Sequence, residues 1–249
     1  MSHIARIYVT APLQANADVP LPEAQAKYLT RVMRLADGAI VRAFNGSDGE
    51  WRCALRVQGK AVSLSPLEQT REQVSGPDMT LLFAPIKKAR TDFIVEKATE
   101  LGVRAIQPVL TEYTQTQRVR TDRMQSLTIE AAEQTERMDL PEVFEAESLH
   151  KALAKWNTNV PLIYCDEGSD AAPITAYQSQ LSDRPAGLLI GPEGGFSPRE
   201  RQMLRDLDFV LPITLGPRIL RAETAVVSAL TLWQSQVGDW HKAPYLPQT

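Results

Sequence analysis

Gly187-Leu188-Leu189-Ile190-Gly191-Pro192-Glu193-Gly194-Gly195-Phe196-Ser197-Pro198-Arg199-Glu200 passes from an unbroken apolar run, through a glycine-broken turn, into a helix start. An apolar run this short and this continuous fits a strand covered on both faces, the state of strands in parallel sheets. Ser197 fits the N-cap, Pro198 the first helical position, and Glu200 the capping box. Gly194 and Gly195 let the backbone reach positive φ or approach a ligand without a Cβ clash. The turn therefore joins a buried strand to a helix N-terminus, and in parallel α/β sheets ligands bind at such strand ends. A loop of this kind can present bare N–H and C=O groups. It lacks the Lys-Ser/Thr ending of a phosphate-cradling loop and the glycine spacing of a dinucleotide fingerprint.

Downstream, Leu215-Gly216-Pro217-Arg218-Ile219-Leu220-Arg221-Ala222-Glu223-Thr224-Ala225 repeats the logic, with the strand Phe209 to Thr214 before it and a helix from near Arg221 to Val237 after it. Ile219 and Leu220 are either ordinary core residues or an apolar slot for a flat heteroaromatic ring, since small-molecule pockets are mostly apolar with a few placed polar groups. Arg218, Arg221 and Glu223 crowd the same turn, either as surface salt bridges or as charges facing a ligand at the strand end.

Outward from these turns, strands and helices alternate. Thr80 to Ala84, Ala105 to Leu110, Val160 to Cys165 and Gly187 to Ile190 read as strands; Thr91 to Leu101, Thr121 to Met138 and Arg199 to Leu207 read as helices. Gly102 stands where a helix C′ glycine belongs. The alternation predicts an α/β fold with a parallel sheet. Before Gln73-Val74-Ser75-Gly76-Pro77-Asp78 the character differs. Arg6 to Val9, Ala39 to Phe44, Trp51 to Val57 and Ala61 to Leu67 read as short strands. Glu23 to Val32 reads as a short helix with Tyr28, Leu29 and Val32 on one face. This is a small, mostly β module, and the boundary divides the chain into residues 1–74 and 75–249.

Composition sets bounds. The 249 residues suffice for one large or two modest cores, and the net charge of -3 makes a nucleic-acid partner depend on local basic patches. Two cysteines, Cys53 and Cys165, stand far apart, and three histidines, His3, His150 and His241, are scattered. No metal site and no disulfide framework is expected, and a cytoplasmic location fits a reducing compartment. No membrane span is expected either.

With both turns quoted, the sequence is similar to the ribosomal RNA small-subunit methyltransferase E family, a branch of the SPOUT superfamily of knotted methyltransferases. Lys97-Ala98-Thr99-Glu100-Leu101-Gly102-Val103 and Glu130-Ala131-Ala132-Glu133-Gln134 extend the resemblance upstream, and it covers essentially the whole chain. The resemblance implies a C-terminal SPOUT-type parallel sheet with a deep trefoil knot and a small N-terminal PUA-like β-barrel domain that binds RNA. It implies S-adenosylmethionine as methyl donor, N3 of a uridine in 16S rRNA near the decoding region as acceptor, and a homodimer acting on the small ribosomal subunit or an assembly intermediate. Carried over by position, the cofactor residues are Ile190, Gly191, Pro192, Glu193, Gly194, Leu215, Gly216, Ile219 and Leu220. Cys165-Asp166-Glu167 is a looser match for a third wall. The family form has Thr or Ser before the Glu, where this chain has Ala222. A ribose 2′-O methyltransferase of the same fold and a non-catalytic RNA-binding assembly protein are the alternatives.

Uracil N3 must lose a proton to become nucleophilic, and a nearby cation stabilises the charge that develops. Arg218 and Arg221 are the residues for that role. Glu193 or Glu223 orients an arginine or takes the proton, and the sequence does not choose between them. A branched side chain at Gly194 is expected to block the cofactor. For RNA, Arg31, Arg34, Arg42, Arg52 and Arg56 concentrate in the β module; Lys87, Lys88 and Arg90 form a second group; Arg118, Arg120 and Arg123 form a third. Arg137 is a further candidate, facing substrate from the other subunit or standing solvated on its helix.

Overall fold

The computed structural model describes residues 4–116, 118–166 and 171–243. The chain forms two compact units. The first holds the described residues up to Ser75 together with Ala132–Leu140, and the second holds Gly76–Ala131 and Pro141–Ala243.

In the first unit, strands β1 (Ala5–Tyr8), β2 (Val19–Pro20), β3 (Ile40–Phe44), β4 (Glu50–Gln58) and β5 (Ala61–Arg71) form one sheet in the order β1-β3-β4-β5-β2. The expected meander is present as the antiparallel β3-β4-β5 run, while β1 joins β3 in parallel. Ile7, Val19, Val41, Ala43, Cys53, Leu55 and Leu64 bring all five strands into a single core. One core shared by every strand of a small sheet requires the sheet to curl around it. Burial pushes the Cys53 thiol up to about 12, so it packs there as a small neutral side chain.

The helix expected over Glu23 to Val32 is two things. An α-helix, α1 (Glu23–Lys27), runs into a π-helical turn, Tyr28–Val32, closed by the Met33 N–H donating to the Tyr28 carbonyl at 2.9 Å. The Thr30 hydroxyl donates back to the Ala26 carbonyl at 2.7 Å, a side-chain bond that competes with regular helix geometry. The wider turn rotates the following residues off the α-helical phase. Of the face formed by Tyr28, Leu29 and Val32, only Leu29 is in the core, and Tyr28 and Val32 are exposed.

In the second unit, β6 (Met79–Phe83), α2 (Lys88–Glu100), β7 (Ala105–Leu110), α3 (Thr121–Gln134), β8 (Glu142–Val143), β9 (Glu147–Ser148), α4 (Leu149–Lys155), β10 (Leu162–Cys165), α5 (Gln178–Leu181), β11 (Ala186–Ile190), α6 (Pro198–Arg205), β12 (Val210–Ile213) and α7 (Ala222–Gln236) follow in order. Residues 132–134 of α3 belong to the first unit. The sheet runs β12-β10-β11-β6-β7-β8 with β9 also on β7, and every pairing is parallel. Alternate residues serve opposite faces. Leu81, Phe83, Ile163, Leu188, Ile190 and Ile213 pack with residues of α2 and α7; Leu82, Leu162, Tyr164, Leu189 and Val210 pack with residues of α4 and α6. All five residues of β11 are buried, as its sequence predicts.

Local chemistry sets the helix ends. Gly102 follows α2 at φ +86°, and the capping box at Ser197 and Glu200 starts α6 with Pro198 in its first turn. Helix α3 stops at Gln134, short of the predicted Met138, because Glu136 takes φ +62° and the chain turns there. Among the described residues no helix is long and apolar enough to cross a membrane.

Candidate active site

The two turns leave β11 and β12, the two neighbours of β10, so three adjacent strands end side by side. Their ends enclose a cavity of about 740 Å³ within the second unit. Such a volume falls in the range of small-molecule binding sites. All of Ile190, Gly191, Pro192, Glu193, Gly194, Leu215, Gly216, Ile219 and Leu220 line it, together with Arg218. Cys165 and Asp166 from the end of β10 make the third wall, and Glu167 lies outside the described residues.

Glycine is required at identifiable points. A Cβ at Gly191 would stand 2.8 Å from the Phe196 ring, whereas one at Gly194 would stand 3.5 Å from Tyr113, an ordinary contact. Positive φ falls on Gly195 (+68°) and Gly216 (+96°). The tight glycine of the first turn is therefore Gly191, not Gly194. Phe196 has little room to yield, because it meets Tyr164 edge-on with centroids 5.3 Å apart.

Glu200 does more than cap α6. One carboxylate oxygen accepts from the Ser197 N–H and the other from the Glu112 N–H, each at 2.9 Å. That second bond fixes the loop after β7 and brings Tyr113 beside Gly194. Tyr113 and Tyr164 are pocket residues that the motifs do not announce. The signal for Tyr113 is non-local, since it runs through a hydrogen bond between residues 88 positions apart. Asp166, fully buried, is held by Arg205 at 2.6 Å. Burial pushes the Cys165 thiol well above its usual range, so it lines the wall as a neutral group rather than a nucleophile.

The charged residues separate. Arg218 lines the cavity and is exposed; Arg221 is the N-cap residue of α7, also exposed; Glu223 sits in the first turn of α7. Arg90, one of the cations grouped with Lys87 and Lys88, bridges the two turns instead of standing free. Its Nη1 is 3.5 Å from Glu193 Oε1 and its Nε is 3.4 Å from Glu223 Oε1. Glu223 Oε2 is buried and, among the described residues, has no hydrogen-bond partner. Lys87 and Lys88 are exposed at the start of α2, whose first turn carries no acidic residue. Cations at a helix N-terminus oppose the macrodipole, so nothing in the helix itself favours them there.

The other basic candidates also sort by environment. Arg42 lies in a buried ion network with Glu50 and Glu136, Arg52 pairs with Glu68, Arg120 with Asp122, and Arg123 with Asp92. Arg137 lies beyond the end of α3, with Nε 2.9 Å from Asp139 Oδ1 and a mostly buried side chain, so it is not a solvated helix residue. Arg31 and Arg34 are exposed and, among the described residues, join no ion pair.

An RNA methyltransferase domain model matches residues 74–234, and an RNA methyltransferase PUA domain model matches residues 21–67. The ribosomal RNA small subunit methyltransferase E of Rickettsia conorii is 33% identical over 90% of this chain and 93% of its own length. Among solved structures, the ribosomal RNA small subunit methyltransferase E of Neisseria gonorrhoeae bound to S-adenosylmethionine superposes with a TM-score of 0.86 at 28% identity, over 96% of this chain and 100% of its own. A Legionella pneumophila protein solved in complex with the same cofactor superposes with a TM-score of 0.84 at 29% identity, over 95% of this chain and 99% of its own. From its two matched domains to its near full-length likeness to these proteins, the chain belongs to the ribosomal RNA small subunit methyltransferase E family.

Proposed function

We propose that the protein transfers a methyl group from S-adenosylmethionine to N3 of a uridine in 16S rRNA near the decoding region. The observation that carries this reading is the single cavity bounded by Gly191 to Phe196, Thr214 to Leu220 and the end of β10. Its walls fit the cofactor's parts. Ile190, Leu215, Ile219 and Leu220 offer apolar faces to an adenine, and the glycine turns offer main chain to its edge and to the amino-acid tail. When bound, the cofactor supplies an electrophilic methyl carbon on a sulfonium sulfur.

The chain's own groups then have distinct tasks. Arg218 stands at the cavity and stabilises negative charge that develops on the uracil oxygens. Glu193, which lines the cavity, or Glu223, whose Oε2 has no partner among the described residues, would take the N3 proton and leave the nitrogen nucleophilic. Arg221, at the N-cap of α7, adds a second cation beside the acceptor base. Arg90 holds Glu193 and Glu223.

We extend the proposal to architecture. Residues 1–74 serve RNA binding and 75–249 catalysis, the chain around β10 and α7 threads a trefoil knot, and two copies assemble. Such a knot is an exception to ordinary chain topology. Lys87, Lys88, Arg31 and Arg34 supply phosphate contacts, and the protein works in the cytoplasm on the small ribosomal subunit or its precursor.

The test is methyl transfer with purified components. The protein, labelled S-adenosylmethionine and unmodified small subunits or 16S rRNA are incubated, and the digested nucleosides are separated. Label in N3-methyluridine alone is the expected result. Label in an alkali-resistant dinucleotide would instead identify ribose 2′-O transfer, and no label would remove the enzymatic reading.

A further inference from the structure

The π-helical turn of the first unit leaves an unusual surface. Tyr28, Val32 and Met33 are 42%, 68% and 37% exposed, with Arg31 and Arg34 exposed beside them. Leu29 alone anchors the turn, fully buried in the core. A short helix normally buries its large side chains, so an aromatic ring and two apolar side chains turned to solvent are costly. A π turn departs from α-helix geometry and occurs disproportionately at functional sites.

Arg34 adds an independent observation. Its φ is +56°, and the Leu35 N–H donates to the Leu29 carbonyl at 3.0 Å across the turn. Arg34 therefore holds the left-handed position at the end of this helix, where glycine is the usual residue and a side chain brings strain. Folding would be served better by glycine. The guanidinium is presented to solvent and pairs with no carboxylate among the described residues.

We propose that Tyr28, Arg31, Val32, Met33 and Arg34 form a docking strip for single-stranded RNA, distinct from the cavity of the second unit. The inference rests on the rRNA-directed reading above and names where the first unit grips the strand. Unstacked bases lie against the Tyr28 ring and the Val32 and Met33 side chains, and phosphates meet Arg31 and Arg34. Aromatic and apolar surface flanked by unpaired arginines has the chemistry of a single-strand platform. A protein partner would have to bring a carboxylate to each arginine, whereas a nucleic-acid strand carries a phosphate at every nucleotide.

The experiment uses the full-length protein and a short fluorescein-labelled oligouridylate, read by anisotropy across a salt series. Arg34→Gly is expected to raise the thermal midpoint by about 2 °C, because strain is relieved. The same variant is expected to bind the oligonucleotide more weakly, with a salt slope smaller by about 0.7 for the lost phosphate contact. Arg31→Ala has the same effect on slope. Tyr28→Ala weakens binding by about fivefold or more with the slope unchanged, and Tyr28→Phe retains affinity, since stacking needs only the ring. S-adenosylmethionine affinity, measured by calorimetry, stays at the wild-type value in all four variants. Unchanged oligonucleotide affinity in Arg34→Gly and Tyr28→Ala would overturn the proposal. So would a change of oligomeric state in Tyr28→Ala with RNA binding intact, which would assign the strip to a second copy. Failure of the catalytic reading is recorded separately, as absence of methyl transfer by the wild-type protein.

Discussion

Glu50 in the first unit and Glu223 in the second are both carboxylates next to arginine, and they are treated in opposite ways. Glu50 is fully buried, and every acceptor is used. Arg6 Nε reaches Oε2 at 2.7 Å, Arg71 bonds both oxygens, and the Thr70 hydroxyl and Arg42 meet Oε1. Glu136 joins the cluster through Arg42 and Arg71, and Arg6 also donates to the carbonyls of Ala132 and Arg137. The network ties Ala132–Leu140 to the N-terminal sheet. Glu223 has one oxygen 3.4 Å from Arg90 and the other buried with no partner among the described residues. A buried polar group left unmatched costs stability. The first cluster completes itself and serves folding. The second leaves one acceptor oxygen unmatched among the described residues.

The contrast breaks most visibly if Glu50 is removed. Glu50→Ala strands Arg6 and Arg71 in the interior and should cost about 3–5 kcal/mol, read from urea unfolding. An unchanged denaturation midpoint would show that the network contributes nothing. At the cavity, Arg218→Ala should leave folding intact and lower kcat on the order of 100-fold, with little change in cofactor affinity. Arg221→Ala should lower kcat less, since Arg221 stands outside the cavity lining. A pure affinity loss in either variant would reassign that arginine to binding. Gly191→Val should weaken cofactor binding at least about tenfold, roughly 1.4 kcal/mol, because Phe196 must move. Gly194→Val should weaken it less. The reverse ranking by calorimetry would contradict the close approach at Gly191.

Acid sharpens the same comparison. Burial, the largest single influence, pushes the Glu50 pKa up, but hydrogen bonds from Arg71 and Arg6 outweigh it and hold it below the usual range. A depressed carboxylate stabilises the fold fully above its unfolded value, about 4.3. That stability is lost as pH falls through the lower folded value. Wild-type stability should therefore fall through this acid window, and Glu50→Gln should flatten the fall. The smallest effect belongs to Lys27→Ala on the exposed α1 pair with Glu23, at about 0.3–0.5 kcal/mol. A larger loss would show that surface pairs matter here as much as buried ones.

Much of the second unit was legible because its signals are local. The apolar run Gly187 to Ile190, the capping box at Ser197 and Glu200, and the glycine turns each specify their own conformation, and the nine motif residues expected around a cofactor line one cavity. Tyr113 was illegible, since its position depends on Glu200 reaching the Glu112 N–H. The Glu50 network was illegible for the same reason, because Arg42 looks like a surface cation until Glu136, 94 positions away, is in place. The π turn defeated the periodicity argument at Tyr28 and Val32, because helical spacing assumes a regular helix.

The most direct test of the central claim, that the two glycine turns form one methyl-transfer site for rRNA, is mass-spectrometric nucleoside mapping of rRNA from cells lacking this protein. The account predicts that one N3-methyluridine disappears from 16S rRNA, returns with the wild-type gene, and does not return with Arg218→Ala. An unchanged set of modified nucleosides in those cells would contradict it.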